Sequence, residues 1–283
     1  MKFSHPKADI YVPGGGDPDA ALTRTTHLCV IAHQDDIEIN AYPAITECYD
    51  RPDRFLTGVT VTNGAGSSRT GPFAHYTDEQ MQEVRREEQR EAARLGKYNL
   101  QIQLAHPSAD VKQPGHAGVK SDLAAIFSAC RPQVVYLHQP LDKHDTHVAV
   151  LLRCLEAIRA LPRDQRPPRV LGVEAWRGLD WLMDDEKIAL DASACPDLKL
   201  PIMQVFASQI AGGKQYDIAA LGRRQANATF HTSHASDVFT EVCWAIDLTP
   251  LAHDDNLSVA DFAAARIARL HDDVLSRIAK LSD

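Results

Sequence analysis

The 283-residue sequence lacks the features that mark several broad classes of protein. It contains no run of the roughly 20 consecutive apolar residues that a membrane-spanning helix needs, so we expect no membrane span. Lysine and arginine number 30 against 38 aspartates and glutamates, which gives a formal net charge of -8. Because this balance does not favour binding to phosphate groups, nucleic acid is not expected as a partner.

The spacing of the cysteines and glycines does not match a disulfide framework, a thiolate metal site or a dinucleotide-binding loop. The six cysteines include no close pairs, and most lie in apolar surroundings. This pattern indicates reduced, packed thiols and predicts a cytoplasmic location rather than a disulfide framework or a thiolate metal site. Gly64 and Gly66 follow an apolar run, but no third glycine follows at the required spacing, which excludes a dinucleotide-binding loop.

Short apolar runs alternate with helical patterns along most of the chain. The runs predicted to be strands are 27–32, 55–62, 99–105, 133–138 and 170–175. Strands that alternate with helices are typical of a parallel sheet covered on both faces. The sequence therefore predicts an α/β, Rossmann-like three-layer fold with a mainly parallel sheet, as a single domain over 27–283. Residues 1–26 are expected to form an N-terminal arm.

Three helical patterns have clear boundary signals. The first helix is predicted to span 77–95, the second to begin near Asp145 or Thr146, and the third to span 258–281. Thr77 and Gln80 stand at capping-box spacing, and Gly96 supplies a stop signal. The last helix opens with Ser258 and Asp261 three residues apart. In this helix we expect burial of the apolar residues Phe262, Ile267, Leu270, Val274 and Ile278.

The segment His33-Gln34-Asp35-Asp36 is the most informative part of the sequence. It directly follows the apolar run 27–32, at the end of a predicted buried strand. Ligands of open α/β sheets bind beyond the carboxyl ends of the strands. Because buried carboxylates are costly unless paired, a bound cation is the simplest explanation for adjacent aspartates there.

A second histidine-rich segment, 142–147, follows the predicted strand 133–138. Parallel strands bring such turns together at one edge of the sheet. His33, Asp36 and His147 would then supply two imidazoles and one carboxylate, which is the ligand pattern of a catalytic zinc with an open position for water.

The remaining polar residues of the two segments fit roles beside such an ion. Asp35 is placed to act as the general base, and His144 to donate a proton or stabilise an oxyanion. The alternative interpretation is that the aspartates are helix N-caps beside a structural histidine. Spacing alone does not identify the reaction.

Several motifs together resemble the LmbE/PIG-L-like zinc-dependent N-acetylglucosaminyl deacetylase family. The matching segments are Ala32-His33-Gln34-Asp35-Asp36-Ile37-Glu38-Ile39, the strand and turn 59–64, Arg85-Arg86-Glu87-Glu88 with 92–96, His144-Asp145-Thr146-His147, and 224–228 with 231–234. They occur in the family's order over roughly 27–245. The resemblance implies hydrolysis of an N-acetyl group from an amino sugar at a single zinc.

The resemblance implies the same division of roles for the metal site, and it adds contacts to the substrate. Arg85 matches a family position near the substrate, although an Arg85–Glu88 pair on a solvated helix face is an equally good interpretation. His234 stands in a stretch that is expected either to line the pocket or to form a surface loop. Asn63, in the turn after a strand, is a candidate substrate contact or an ordinary turn residue.

The sequence departs from the family pattern at three of these positions. Gln34 replaces a proline, which we expect to loosen the turn without removing a ligand. Thr146 replaces an aspartate that orients the catalytic histidine in the family, so its loss is expected to weaken His144 as an acid unless Asp142 or Asp145 substitutes. Thr146 also fits a helix N-cap. His234 replaces a glutamine.

We therefore expect a metal-dependent hydrolase that removes an N-acyl group from an amino sugar or glycoconjugate. The expected cofactor is Zn²⁺, with Fe²⁺ or another divalent metal as alternatives, and the expected partner is a small amino-sugar substrate. Two other functions stay open: an amide or ester hydrolase acting on a non-sugar substrate, and a non-catalytic carbohydrate-binding relative. Homo-oligomerisation also stays open.

Overall fold

The computed structural model describes residues 1–211 and 213–282 of the chain. In this part of the chain the strands are β1 (Asp9–Tyr11), β2 (His27–Ile31), β3 (Leu56–Thr62), β4 (Leu100–His106), β5 (Val134–Leu137), β6 (Val170–Val173), β7 (Lys187–Asp191) and β8 (Val242–Asp247). The helices are α1 (Pro18–Thr23), α2 (Asp36–Asn40), α3 (Tyr42–Cys48), α4 (Asp78–Leu95), α5 (Ser108–Lys112), α6 (Ala117–Ala129), α7 (Asp145–Arg159), α8 (Pro196–Gln204), α9 (Ala207–Ile210), α10 (Tyr216–Phe230), α11 (Thr249–His253) and α12 (Val259–Leu281).

The eight strands form one mixed sheet in the order β1-β4-β3-β2-β5-β6-β8-β7. The five consecutive strands from β4 to β6 are parallel, whereas β1, β8 and β7 are added in antiparallel pairings at the two edges. The predicted α/β fold with a mainly parallel sheet is therefore confirmed, and each predicted strand matches one of the central five. The antiparallel edge strands were not predicted.

Strand β2 lies at the point where the strand order reverses. The next strand in sequence, β3, pairs on one side, and β5 pairs on the other, with Cys29 opposite both Gly58 and Tyr136. Connections that leave on opposite sides open a crevice beyond the carboxyl ends of the two strands, where open α/β sheets bind ligands. The segment after β2 is thus placed at the usual binding position of the fold.

Side chains of β2 pack alternately into the two layers that cover the sheet. Leu28 and Val30 belong to one apolar cluster, and Cys29 and Ile31 belong to the other. All four are fully buried, and complete burial of an aliphatic side chain stabilises a fold by about 1.5–3 kcal/mol. Burial on both faces explains why this strand is a continuous apolar run rather than an alternating one.

The helix boundary signals are confirmed in the structure. Thr77 and Gln80 form the reciprocal capping box of α4, and Ser258 caps α12 by accepting a hydrogen bond from the Asp261 N–H. The predicted burial along α12 is wrong beyond its first turns. Phe262 is buried, but Ile267, Val274 and Ile278 are 47, 44 and 57% exposed. A periodic apolar face predicts a helix, and it does not determine whether another element covers that face.

Part of the segment 1–26, which we expected to form an arm, lies in the sheet. Strand β1 pairs antiparallel with β4, with Ile10 opposite Ile102. The Arg90 side chain on α4 donates a hydrogen bond to the Asp9 carboxylate at 2.9 Å. A strand of three residues is too short to give a clear sequence pattern. It pairs with β4, whose edge would otherwise be unpaired.

None of the described helices is long and apolar enough to cross a membrane.

Candidate functional site

His33, Asp36 and His147 come together at the carboxyl ends of β2 and β5, and we call them the inner cluster. His33 Nδ1 lies 3.2 Å from His147 Nε2 and 3.2 Å from Asp36 Oδ2. The third side of this triangle, from His147 Nε2 to Asp36 Oδ2, is 3.3 Å. The structure thus brings together the three residues that the sequence predicted as metal ligands.

The dimensions of the inner cluster fit a divalent metal ion. Ligand atoms about 2.0–2.1 Å from a tetrahedral zinc lie about 3.3 Å from one another. The three sides of the triangle agree with this spacing. Two ring nitrogens and a carboxylate oxygen facing one point also form the donor set that zinc and neighbouring divalent metals accept.

A buried carboxylate orients His147 toward the centre of the inner cluster. His147 Nδ1 lies 2.9 Å from Asp142 Oδ2, which makes Nδ1 the donor and directs Nε2 to the cluster. Burial alone would lower the pKa of His147, but the charges and hydrogen bonds of Asp36 and Asp142 outweigh it and raise the pKa to about 10. The uncompensated carboxylates therefore attract a positive charge to this point.

Asp35 occupies a strained turn between β2 and α2. Its φ is 91°, a left-handed conformation that costs a non-glycine residue about 1–3 kcal/mol and that is common at functional sites. The Asp35 N–H donates to Gln89 Oε1 at 3.1 Å, which holds the turn against α4. Burial raises the pKa of Asp35 to about 6, although the adjacent Arg85 guanidinium opposes this shift.

Arg85 lies behind Asp35 and is buried rather than solvated. Its guanidinium donates to Asp35 Oδ2 at 2.8 Å, to Glu88 Oε2 at 2.8 Å and to the Gln34 carbonyl. The predicted Arg85–Glu88 pair is present, but the side chain is only 1% exposed. The Arg85 guanidinium therefore holds the turn around Asp35 in place. A contact from Arg85 to the substrate stays a prediction.

His144 lies at the exposed side of the inner cluster. Its ring stacks on the His147 ring at a centroid distance of 4.5 Å and lies edge-on to the His33 ring at 5.0 Å. Partial desolvation and the neighbouring histidines lower the pKa of His144. The aspartate position of the family motif is taken by Thr146, which is buried in the first turn of α7 and is not the N-cap, because His144 itself precedes the helix.

Asp142 contacts both histidines of this segment, but it does not take the place of that aspartate. Its Oδ1 accepts a hydrogen bond from the backbone N–H of His144 at 2.9 Å, while its Oδ2 meets the His147 ring. Asp145, the other candidate, is exposed at the start of α7. Asp142 thus fixes the backbone of His144 and the ring of His147, but it does not bond to the His144 ring.

Gln34, which replaces the family's proline, holds the turn instead of loosening it. The side chain is 2% exposed, and its Nε2 lies 3.3 Å from the Thr62 carbonyl and 3.2 Å from Gln103 Oε1. These contacts attach the turn after β2 to β3 and β4. A proline would fix one backbone angle there, whereas the glutamine supplies hydrogen bonds across the sheet.

His138 also lies in the site, and it was not predicted from the sequence. It follows β5, stacks on the His147 ring at 3.8 Å, and accepts a hydrogen bond from the Ala32 N–H at 2.9 Å. Its Nε2 is 3.6 Å from Asp36 Oδ2. A histidine at the end of a predicted parallel strand, as for His33, was the signal that could have indicated it.

Two cavities are lined by residues near the site in sequence, although no residue of the inner cluster lines either of them. One, of about 130 Å³, is lined by Gln34, Asn63 and other polar side chains. Asn63 also accepts a hydrogen bond from the Ala65 N–H at 3.0 Å, so it is both a turn residue and a cavity residue. His234 is exposed on the segment after α10 and lines neither cavity.

The second cavity, of about 210 Å³, is mainly apolar. Ile39, Trp176, Tyr216 and Arg223 are among its lining residues. The Lys143 ammonium lies 4.9 Å from the centre of the Trp176 ring, and Lys143 directly precedes His144 in the sequence. The cavity therefore opens next to the inner cluster and offers an aromatic surface there.

The fold and this cluster define a Rossmann-like α/β protein with a site at the strand-order reversal. Residues 28–158 match the PIG-L family, described as GlcNAc-PI de-N-acetylase. The matched residues contain the whole inner cluster together with Asp35 and His144. The resemblance inferred from the motifs is thereby confirmed, and no curated protein matches the sequence.

Several solved structures share the fold at low sequence identity. N,N'-diacetylchitobiose deacetylase from Pyrococcus horikoshii is 19% identical, with a TM-score of 0.59 over 80% of this chain and 85% of its own. GalB, the 4-carboxy-2-hydroxymuconate hydratase from Pseudomonas putida, is 21% identical, with a TM-score of 0.62 over 83% of this chain and 100% of its own. A conserved protein from Thermus thermophilus is 18% identical, with a TM-score of 0.61 over 79% of this chain and 94% of its own. Because one of these relatives is a deacetylase and another a hydratase, the fold alone does not determine the reaction.

Proposed function

We propose that the protein is a metal-dependent hydrolase that removes an N-acyl group, with acetyl as the first candidate, from an amino sugar or glycoconjugate. The observation that carries the proposal is the triangle of ligand atoms in the inner cluster, with sides of 3.2–3.3 Å, beside Asp35. The PIG-L match over the same residues supports the type of reaction.

In this proposal His33, Asp36 and His147 hold the metal, and Zn²⁺ fits the donor set best. A bound divalent cation would acidify a water molecule and polarise the acyl carbonyl. Asp142 keeps His147 in the tautomer whose Nε2 faces the ion. The His138 ring stacks on the His147 ring and limits its rotation.

Asp35 takes up the proton as the water oxygen bonds to the acyl carbon. The strained turn aims its carboxylate, and Arg85 and Gln89 hold that turn while the proton moves. His144, on the exposed side, stabilises the charge that develops on the acyl oxygen or protonates the departing nitrogen. The C–N bond breaks, and the products are a carboxylic acid and a free amine.

The surroundings of the inner cluster support a substrate with a polar ring and a less polar attached group. Asn63 and Gln34 line a polar cavity, and Trp176 and Tyr216 line an apolar one. Hydroxyl groups of a sugar match the first cavity, and an aromatic surface matches the apolar face of a ring or an attached group. A role for His234 in recognition and a cytoplasmic location remain predictions.

An amine-release screen tests the proposal directly. Protein stripped of metal and reloaded with Zn²⁺ is incubated with N-acetylated amino sugars, their glycosides, non-sugar N-acetyl amides and acetate esters. We expect release of acetate and amine in equal amounts from the sugars, dependence on added metal, and loss of both products in Asp35→Ala.

The outcomes separate the proposed function from its alternatives. Faster turnover of non-sugar amides or esters would overturn the amino-sugar assignment and keep the hydrolase. Water addition to an unsaturated acid without acetate release would indicate the type of reaction named for the Pseudomonas relative. Sugar binding without turnover in metal-loaded protein would identify a non-catalytic carbohydrate-binding protein.

A further inference from the structure

A second group of histidine and aspartate side chains lies at the same edge of the sheet, outside the site described above. His106, Asp110 and His116 each offer one ligand atom, and these atoms all lie within 4.8 Å of one another. We call them the outer cluster. His106 ends β4, which is separated from β2 by β3, so the inner and outer clusters use different strands.

The outer cluster repeats the donor set of the inner cluster. Each has two imidazoles and one carboxylate, which is a common ligand set for zinc. His116 Nε2 lies 3.6 Å from Asp110 Oδ2. The rings of His116 and His5 both lie edge-on to the His106 ring at centroid distances of 6.1 Å, so His5 provides a further imidazole close by.

A buried carboxylate orients His106 as Asp142 orients His147. His106 Nε2 lies 2.9 Å from Asp122 Oδ2, and the other Asp122 oxygen accepts the Ser4 N–H at 2.8 Å. Since an ionised carboxylate only accepts hydrogen bonds, His106 Nε2 carries the proton and Nδ1 keeps its lone pair. A histidine that donates to a carboxylate through one nitrogen is the usual arrangement of a metal-bound imidazole.

The three side chains of the outer cluster differ in burial. His106 is 2% exposed. Asp110 and His116 are 37 and 28% exposed at their side chains, so they can rotate inward by the small distance that coordination requires.

We propose that His106, Asp110 and His116 bind a second divalent cation of the zinc type, distinct from the metal of the inner cluster. This ion joins the end of β4 to α5 and to the first residue before α6. It therefore links the two ends of the segment 107–116, which contains α5, and stabilises this segment.

Metal counting in matched variants tests this proposal. His116→Asn removes the imidazole but keeps a side-chain acceptor for the Val119 N–H that His116 caps. Asp110→Asn removes the carboxylate charge at nearly constant shape. His33→Ala/His147→Ala removes two inner ligands, and His271→Asn on α12 is the control for an exposed histidine.

After loading with Zn²⁺ and gel filtration, we expect two metal equivalents in the wild type and in His271→Asn. We expect one in His116→Asn, one in Asp110→Asn, one in His33→Ala/His147→Ala, and none when the inner and outer changes are combined. A metal content that stays at the wild-type value in both His116→Asn and Asp110→Asn would overturn the proposal, whereas an unchanged content in His33→Ala/His147→Ala would contradict the inner site alone.

A thermal-shift measurement keeps the test valid if metal is lost during gel filtration. Since a ligand that binds only the folded state raises its stability, Zn²⁺ should raise the Tm of the His33→Ala/His147→Ala variant. Adding His116→Asn should abolish that increase. An equal increase in both variants would contradict a site at the outer cluster, whatever the inner cluster binds.

Discussion

The inner and outer clusters contain the same donor types, yet the fold holds them to different degrees. In the inner cluster the ligand atoms are already 3.2–3.3 Å apart, and Asp36 and His147 are 5 and 1% exposed. In the outer cluster the ligand atoms lie within 4.8 Å of one another, with His116 Nε2 and Asp110 Oδ2 3.6 Å apart, and two of the three side chains are partly solvated, against His33 alone in the inner cluster. The comparison indicates that preorganisation and neighbours, rather than donor identity, distinguish the proposed catalytic site from the proposed second cation site.

The neighbours of the inner cluster have no equivalent among those described for the outer one. Asp35 stands in a strained turn held by Arg85 and Gln89, and His144 lies on the open side. The outer cluster has the carboxylate of Asp122 behind its buried histidine and the His5 ring beside it. The inner cluster also lies where the strand order reverses, which opens a crevice for a substrate.

Removing one ligand from each cluster should give the largest contrast. We expect Asp36→Ala to lower kcat/KM by more than about 10²-fold, because even an indirect partner of a metal ligand commonly contributes 10–100-fold. Asp110→Ala should cost at least tenfold less than Asp36→Ala. Steady-state release of amine measures both, and similar losses would show that the clusters do not have separate roles.

Replacing the proposed base should separate chemistry from metal binding. We expect Asp35→Asn to lower kcat by about 10²–10⁴-fold, the usual contribution of a positioned general base. The metal content should stay at the wild-type value, since Asp35 is not a ligand in this proposal. Full activity, or loss of the inner metal, would contradict the assignment.

Disturbing the carboxylate behind each buried histidine should have a smaller effect on metal affinity. We expect Asp142→Asn to weaken metal binding at the inner cluster by about 10–100-fold, and Asp122→Asn to weaken binding at the outer cluster similarly. Competition with a chelator of known affinity measures both. The exposed Asp145 provides the control, and Asp145→Asn should change neither affinity.

Replacing the Arg85 guanidinium behind Asp35 should have the smallest effect on activity. Arg85→Lys keeps the charge but loses the simultaneous bonds to Asp35, Glu88 and the Gln34 carbonyl. We expect kcat to fall by roughly tenfold, which corresponds to about 1.4 kcal/mol, with KM unchanged. A rise in KM at constant kcat would instead identify Arg85 as a substrate contact.

Much of the fold was predictable because its signals are local. The apolar run of β2, the capping box of α4 and the Ser258 cap of α12 all depend on neighbouring residues, and each is confirmed. The edge strands β1, β7 and β8 were not predicted, because their pairing depends on partners distant in sequence. The exposure of Ile267 and Ile278 on α12 was missed for the same reason, since periodicity does not identify what covers a helix.

The candidate site was predictable where a cluster of polar residues directly follows a predicted strand. His33 and Asp36 lie within one turn, and parallel strands bring His147 to the same edge. His138 was missed because its role depends on stacking against His147. The effect of Gln34 was also misjudged, since its hydrogen bonds reach β3 and β4 rather than its own turn.

Anomalous diffraction at the zinc absorption edge, from crystals of the zinc-loaded protein, tests the central claim most directly. We predict a peak within the inner cluster, about 2.0–2.1 Å from His33 Nδ1 and from His147 Nε2, with Asp36 as the third ligand. The absence of a peak there at saturating zinc, or a peak held by other residues, would contradict the account.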